Sequence, residues 1–408
     1  MPSPSTSSTT SSLRVVVTTQ RGCEKALAKE LELLDVPKTT RDGTALAFDG
    51  DATHVARINV FSRVAQRVLV ELASGEATSD AQLFDGLMAF EAERFIGPTD
   101  TFAVTGHLGE GACLDHSHFA ALRVKDAVVD RFRDKGLPRP LIDTHAPSIR
   151  FVLYLAHGRF SLALDTSDEP LHKRGYRREE GEAPLKENLA AAILAIGHAD
   201  VRRPFVDPTC GSGTLVIEQA LRALDRAPGM SRPFAIERAA RDALSLKPAL
   251  RRAREEARDR QKHRLDVEIR GSDWHPKAIA AITANIAAVG LTGQIVVEQV
   301  DARKAHLDVP GVVVAANLPF GERLGKGSAL QLDGFYRTLG DTLRSLSSAR
   351  VLLFTAHPRA ERLLDVGEVR RTSLPSAKIP SMLLRYDVGA RPPRREREEA
   401  GAEIDPRS

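Results

Sequence analysis

The chain runs to 408 residues, enough for about two to three domains and a sizeable core in the largest. Hydrophobic residues make up 42% and charged residues 27%, the balance of an ordinary globular protein, and no apolar run is long enough to cross a bilayer, so no membrane partner is expected. A formal charge of +4 is mildly basic, which is compatible with a nucleic-acid partner and does not demand one.

In chain order, 1–12 is rich in Ser and Thr without apolar periodicity and reads as a disordered start, with the features of neither a signal peptide nor an anchor. Residues 13–60 suggest a small α+β module. The span 61–165 follows with short strands, and there Lys125, Arg131, Arg133, Lys135 and Arg139 lie on or just after a helix, with Arg123 nearby. A change of composition at TSDEPLHKRGYRREEG, Thr166 to Gly181, places a linker over 166–183. Cys23, Cys113 and Cys210 are too scattered for a disulfide framework or a clustered metal site, and they point to a reducing, cytoplasmic setting. His107, His116, His118 and His145 lack metal-ligand spacing, so no metal is expected.

The span 184–390 alternates strands with helices. A helix from Leu185 carries Leu185, Leu189, Ile193 and Ile196 on one face, and a short strand at Phe205 and Val206 leads into DPTCGSGT. A helix resumes at Leu215. Val267 to Arg270 reads as a strand ending at Gly271 and Asp273, and Pro276 opens a helix with Ile279, Ile282, Ile286 and Val289 in register, closed by Gly290. Strands follow at Ile295 to Val297, Val312 to Ala316, Val351 to Phe354 and Met382 to Tyr386, with a helix around Phe335 to Leu346. The basic stretch from Arg238 to Arg264 reads as a solvated helix face, because Glu255, Glu256 and Asp259 interleave with its arginines. The tail 391–408 is charged and contains proline, and disorder is expected. The fold class is therefore α/β, a mostly parallel, doubly wound sheet with ligands at the carboxyl ends of its strands.

Four of those strand ends carry polar groups. The first delivers Asp207, then Gly211 and Gly213; the second ends in Asp273, the third reaches Asp301, and the fourth delivers Asn317, Leu318, Pro319 and Phe320. The turn is neither G-x-G-x-x-G nor a phosphate-binding P-loop. Acids around a glycine turn instead suit a nucleoside with an amino-acid tail, whose ammonium, ribose hydroxyls and exocyclic amine carboxylates bind. They would repel a pyrophosphate.

DPTCGSGT resembles the first motif of class I S-adenosylmethionine-dependent methyltransferases, and GSDWHPKAIAAITANIAAVGL their second. NLPFGER is similar to the Asn-Pro-Pro-Tyr motif of enzymes that methylate exocyclic amines. VTTQRGCEKALAKEL, ALRVKDAVVDRF, LDTSDEPLHKRGYR and APLKENLAAAIL extend the resemblance over about 13–388, to the THUMP-domain RNA methyltransferases that make N2-methylguanosine in large-subunit ribosomal RNA or in tRNA. It implies a Rossmann-like catalytic domain with a seven-stranded sheet, preceded by a ferredoxin-like module and a THUMP RNA-binding domain.

On the positions of this sequence, the resemblance implies that Asp207, Gly211 and Gly213 bind the methionine part of S-adenosylmethionine. Asp273 would hold the ribose, Trp274 the adenine ring and Asp301 the adenine amine. Asn317 and the Leu318 carbonyl would accept the protons of a guanine amine, next to Pro319, while Phe320 stacks on the base. Leu318 replaces the usual first proline and removes a fixed φ angle, so a less preorganised loop is expected. Trp274 as a core residue stays open, and Cys210 is expected to be a small packed residue.

RNA is the expected partner, with Arg123, Lys125 and Arg131 on the THUMP helix and Lys173, Arg174 and Arg177 at the junction as its phosphate contacts. His172, Arg178 and Tyr176 accompany the junction set. A ribosomal substrate is favoured on the LHKRGYR junction. A tRNA guanine, an adenine N6 amine, a protein glutamine amide and a catalytically silent RNA-binding protein remain as alternatives.

Overall fold

The computed structural model describes residues 12–178, 185–320, 329–376 and 379–389, so the expected disorder at both ends lies outside the described residues except at Ser12. The first sheet contains β1 (Leu13–Thr18), β2 (Thr40–Asp42), β3 (Ala45–Gly50), β4 (Arg67–Glu76), β5 (Thr101–Leu108), β6 (Leu141–Ile142), β7 (Ile149–Ala156) and β8 (Arg159–Asp165). In β1 the alternation of buried Val15 and Val17 with half-exposed Arg14, Val16 and Thr18 sets which face is covered. Helices α1 (Glu24–Leu33), α2 (Ala52–Phe61), α3 (Asp80–Ala89) and α4 (Ser117–Asp134) supply Leu27, Leu31, Ile58, Leu83, Val124 and Val128 to that core.

The sheet order is β2-β3-β1-β4-β8-β7-β5-β6. Because β4 pairs with β1 on one edge and β8 on the other, the two expected N-terminal units share one continuous sheet across residue 61.

The second sheet is built from β9 (Phe205–Asp207), β10 (Ile269–Asp273), β11 (Val296–Gln299), β12 (Val312–Asn317), β13 (Ala349–Thr355), β14 (Arg370–Ser373) and β15 (Met382–Val388). Its order is β11-β10-β9-β12-β13-β15-β14, parallel except that β15 runs antiparallel to both β13 and β14. Its helices are α5 (Glu187–Ile196), α6 (Thr214–Ala223), α7 (Ala235–Arg238), α8 (Leu246–Arg260), α9 (Pro276–Ala288), α10 (Ala329–Arg344) and α11 (Ala360–Leu364). Leu185 precedes α5, and β14 is a short edge strand whose RRTS sequence carries no apolar alternation. Among the described residues no helix is long and apolar enough to cross a membrane.

The two halves are packed together. The expected linker begins with Thr166 and Ser167 fully buried: Asn59 donates to the Thr166 hydroxyl at 2.8 Å and accepts from that of Ser167 at 2.7 Å. Arg232 donates to the carbonyls of Ser167, Glu169 and Pro170. The basic stretch proves to be more than a solvated face, since α8 buries Leu246, Ala249, Leu250, Ala253 and Ala257. Helix α8 also meets α2, where Arg57 pairs with Glu256 at 2.9 Å and Arg57 and Arg260 lie over the Phe61 ring.

Gly229 approaches α2 closely enough for its N–H to reach the Val60 carbonyl at 2.8 Å, and a Cβ there would meet the Asn59 carbonyl oxygen at 2.3 Å. Gly229→Ala is therefore expected to cost about 1–3 kcal/mol by forcing two backbones apart. Thermal denaturation followed by circular dichroism reads this as a lower midpoint; an unchanged midpoint would show that the approach is looser than the contact distance implies.

Candidate active site

The parallel registers bring Asp207, Asp273 and Asn317 to one edge of the sheet, because β9 lies between β10 and β12. Asp207 is buried, its Oδ1 accepting the Thr209 N–H at 3.0 Å, and burial, with Asp273 nearby, pushes its carboxyl well above the usual carboxylate range. The chain then turns through Gly211 at φ +53° and Gly213 at φ +85°, conformations that glycine adopts without a steric penalty. A Cβ on Gly213 would strike Ile282 of α9 at 2.4 Å, so this glycine serves packing. Around Gly211 a Cβ would meet nothing within 4 Å, and this is the open side of the turn that leads into α6.

Asp273 ties the turn to the neighbouring strand. Its Oδ2 accepts the Gly211 N–H at 3.1 Å and its Oδ1 that of His275 at 2.9 Å. Trp274 is 68% exposed, which removes the core alternative for it. Asp301, just beyond β11, pairs with Arg303, whose guanidinium holds its carboxyl down at about 2. Cys210 is buried and its thiol is pushed up by that burial, as a packed residue rather than a nucleophile requires.

Thr209 and Tyr336 complete the site. The Asn317 carbonyl accepts the Thr209 hydroxyl at 3.4 Å, which links the first and fourth strand ends directly. The Leu318 N–H donates to the Phe354 carbonyl at 2.9 Å, a bond that a proline at this position lacks the hydrogen to make. The expected loss of preorganisation is thus offset by one added rung between β12 and β13. Tyr336, fully buried on α10, donates to the Pro319 carbonyl at 2.9 Å and lies 2.6 Å from the Thr355 hydroxyl. Against this well-held backbone, the side-chain Oδ1 of Asn317 is buried with no hydrogen-bond partner among the described residues. A buried acceptor without a donor carries a desolvation cost of about 1–3 kcal/mol, which a ligand N–H would relieve. Phe320 is half-buried at the end of this described stretch. Sequence reasoning missed Thr209 and Tyr336 as supports because their partners lie 108 and 17 residues away.

Most of the expected RNA contacts are ion-paired within the chain. Arg123 pairs with Asp80 and lies over Phe84, while Arg131 grips both Glu93 oxygens at 2.6 and 2.7 Å and the Met88 carbonyl. Arg174 has 3% of its side chain exposed, against Glu218 at 3.4 Å, and Arg177 is paired with Glu187. Each of these four guanidiniums is paired with a carboxylate within the chain, and the side chains of Arg131, Arg174 and Arg177 are largely covered. Lys125 has no side-chain partner among the described residues, and Lys173 is exposed beside Glu169. Among the described residues no group of three or more His, Cys, Asp or Glu side chains is arranged to hold a metal ion.

Residues 14–69 match the RlmL ferredoxin-like domain, 77–165 the THUMP domain and 174–383 the family described as RMKL-like, methyltransferase domain. The ribosomal RNA large subunit methyltransferase K/L of Syntrophotalea carbinolica is 35% identical over 387 residues, 92% of this chain and 54% of that protein. The chain spans about half the length of the curated relatives it matches. Among solved structures, SMU.472, complexed with SAH, superposes with a TM-score of 0.84 at 26% identity, covering 93% of this chain and 99% of that one. A structure from Listeria monocytogenes, described as a predicted N6-adenine-specific DNA methylase, is 29% identical with a TM-score of 0.81, covering 92% of this chain and 96% of its own. With half of its length matched to that domain and the crevice carried on the same sheet, the chain belongs to the RMKL-like methyltransferase family.

Proposed function

We propose that this chain transfers the methyl group of S-adenosylmethionine to the exocyclic N2 amine of a guanosine in large-subunit ribosomal RNA. One observation supports the reading above the others: the Oδ1 of Asn317, buried and without a partner among the described residues, shares a sheet edge with the buried carboxyl of Asp207 and the open glycine turn. S-adenosylmethionine supplies a methyl group already activated by its sulfonium.

The residues divide the remaining work. Asp207 suits the ammonium of the amino-acid tail, Gly211 gives the backbone close approach, and Asp273, Trp274 and Asp301 suit the ribose, the adenine ring and its amine. Asn317 Oδ1 and the Leu318 carbonyl accept the two protons of the guanine amine. Its lone pair is then turned toward the methyl group, and both dipoles oppose the positive charge that grows as the N–C bond forms and the S–C bond breaks. The methylated nitrogen, cationic at that point, then gives up one proton to solvent water and becomes a neutral secondary amine. Pro319 and Phe320 shape the base side of the crevice, and a base stacked on Phe320 must be single-stranded or flipped. The ribosomal substrate rests on the named activity of the 35%-identical relative and on the THUMP match, with Lys125 and Lys173 left as phosphate contacts.

An adenine N6 amine offers the same two protons, and the described specificity of the Listeria structure favours it as the second reading. Incubating unmodified large-subunit ribosomal RNA with the protein and S-adenosylmethionine, then digesting to nucleosides for mass spectrometry, separates them. N2-methylguanosine is expected; N6-methyladenosine would transfer the same geometry to the other base.

Asn317→Ala should lower kcat by on the order of 100-fold while the affinity for S-adenosylmethionine, measured by calorimetry, stays within a few-fold. Equal loss in both would assign Asn317 to cofactor binding alone. For Asp207 the sign of the pH effect follows from its burial: the empty crevice favours the neutral carboxyl, and the ammonium favours the carboxylate, so binding releases a proton. Affinity is therefore expected to fall as pH is lowered through the raised range of the Asp207 carboxyl, and Asp207→Asn to flatten that dependence. A profile that is flat in the unaltered protein removes Asp207 from the ammonium site.

A further inference from the structure

The glycine turn is not self-supporting. The Cys210 and Gly211 N–H groups are held by β10, through the Ser272 carbonyl at 2.9 Å and Asp273 at 3.1 Å, but Ser212 between the two left-handed glycines is anchored from elsewhere. Arg177 reaches the Ser212 hydroxyl at 3.4 Å and the Thr214 hydroxyl at 3.3 Å with its two terminal nitrogens, and its Nε donates to Glu187 at 3.1 Å. Asn285 on α9 donates to the Ser212 carbonyl at 3.0 Å and accepts the Arg178 N–H at 2.8 Å on its other end. One amide thus spans the gap between the junction backbone and the turn.

The same segment is anchored at its other end. Leu171 donates to the Gln66 carbonyl at 2.8 Å, and Arg174 donates to the Arg63 carbonyl at 2.6 Å while pairing with the fully buried Glu218 of α6. Tyr176 adds a hydroxyl to Glu218 at 3.4 Å. Arg177 and Glu187 expose only 12% and 5% of their side chains, so a phosphate has no access to that charge.

We propose that residues 171–178 form a strut that runs from the N-terminal sheet to the glycine turn, with Arg177 and Asn285 as positioning residues that set affinity for the methyl donor and take no part in gripping RNA. This rests on the S-adenosylmethionine reading of the crevice. The two roles separate under substitution. A lysine at 177 keeps the charge, but a single ammonium does not bridge Ser212, Thr214 and Glu187 in the way a planar guanidinium does.

The test uses the full chain with three variants, Arg177→Ala, Arg177→Lys and Asn285→Asp; the last keeps the oxygen for Arg178 and removes the donor to Ser212. Calorimetry reads the affinity for S-adenosylmethionine. Filter binding to a transcript of large-subunit ribosomal RNA at several salt concentrations reads the RNA affinity and its salt slope. Each variant is expected to lose affinity for S-adenosylmethionine on the order of tenfold, about the worth of one hydrogen bond, with RNA affinity and slope unchanged. Unchanged S-adenosylmethionine affinity in the folded variants, or weaker RNA binding with a flatter slope, overturns the strut. Should Arg177→Ala fail to fold, Arg177→Lys and Asn285→Asp decide the matter by the same readouts. Failure of the unaltered protein to bind S-adenosylmethionine sinks the functional reading itself, a result distinct from either.

Discussion

Parallel strands that stop at a common level expose backbone and side-chain polar groups that the sheet itself cannot satisfy, and the crevice here is that constraint put to use. The registers Gly271↔Asp207 and Val206↔Val314 leave β9 flanked by two strands running the same way, so their three carboxyl ends share one edge. The protein satisfies most of what is left over: Asp207 takes the Thr209 N–H, Asp273 takes two N–H groups, and Thr209 closes on the Asn317 carbonyl. Among the described residues it leaves unmatched a buried carboxyl held away from its usual ionisation, the buried Ser272 hydroxyl and the buried amide oxygen of Asn317.

Leu318 shows how a departure from a familiar motif is compensated. A proline would fix φ and deny its neighbour a hydrogen bond; leucine frees φ and gains a donor, which the Phe354 carbonyl accepts. The side chain is fully buried among Tyr336, Leu339 and Leu353, so packing limits the loop as well. Tyr336 then fixes the next carbonyl along, that of Pro319, through a hydroxyl that also meets Thr355. Preorganisation has moved from a ring closure in the backbone to two hydrogen bonds and a packed side chain.

The parts of this site that were legible in the sequence are those whose chemistry is local. Asp207 with its glycine turn, Asp273 after a short strand and the Asn317 tetrad each declare themselves within about eight residues, because a turn with positive φ needs glycine at a fixed spacing. The pairing of the arginines was not legible, for the opposite reason. Arg123, Arg131 and Arg174 find their carboxylates 43, 38 and 44 positions away, and no local pattern tells a guanidinium that will be neutralised by tertiary structure from one that will not. The fold behaved likewise. Strands with apolar alternation were readable, whereas β14, all polar at an edge, and the buried face of α8 acquire their meaning only from the partner they lie against.

The contacts between the two halves bear on how a large RNA would be positioned. If the N-terminal half carries the RNA, its attitude toward the strand ends decides which nucleotide arrives there, and polar contacts hold that attitude: Asn59 with buried Thr166 and Ser167, Arg232 with three carbonyls, and partly exposed Arg57 with Glu256. Selection of a nucleotide by a set distance between the N-terminal half and the strand ends needs few base contacts.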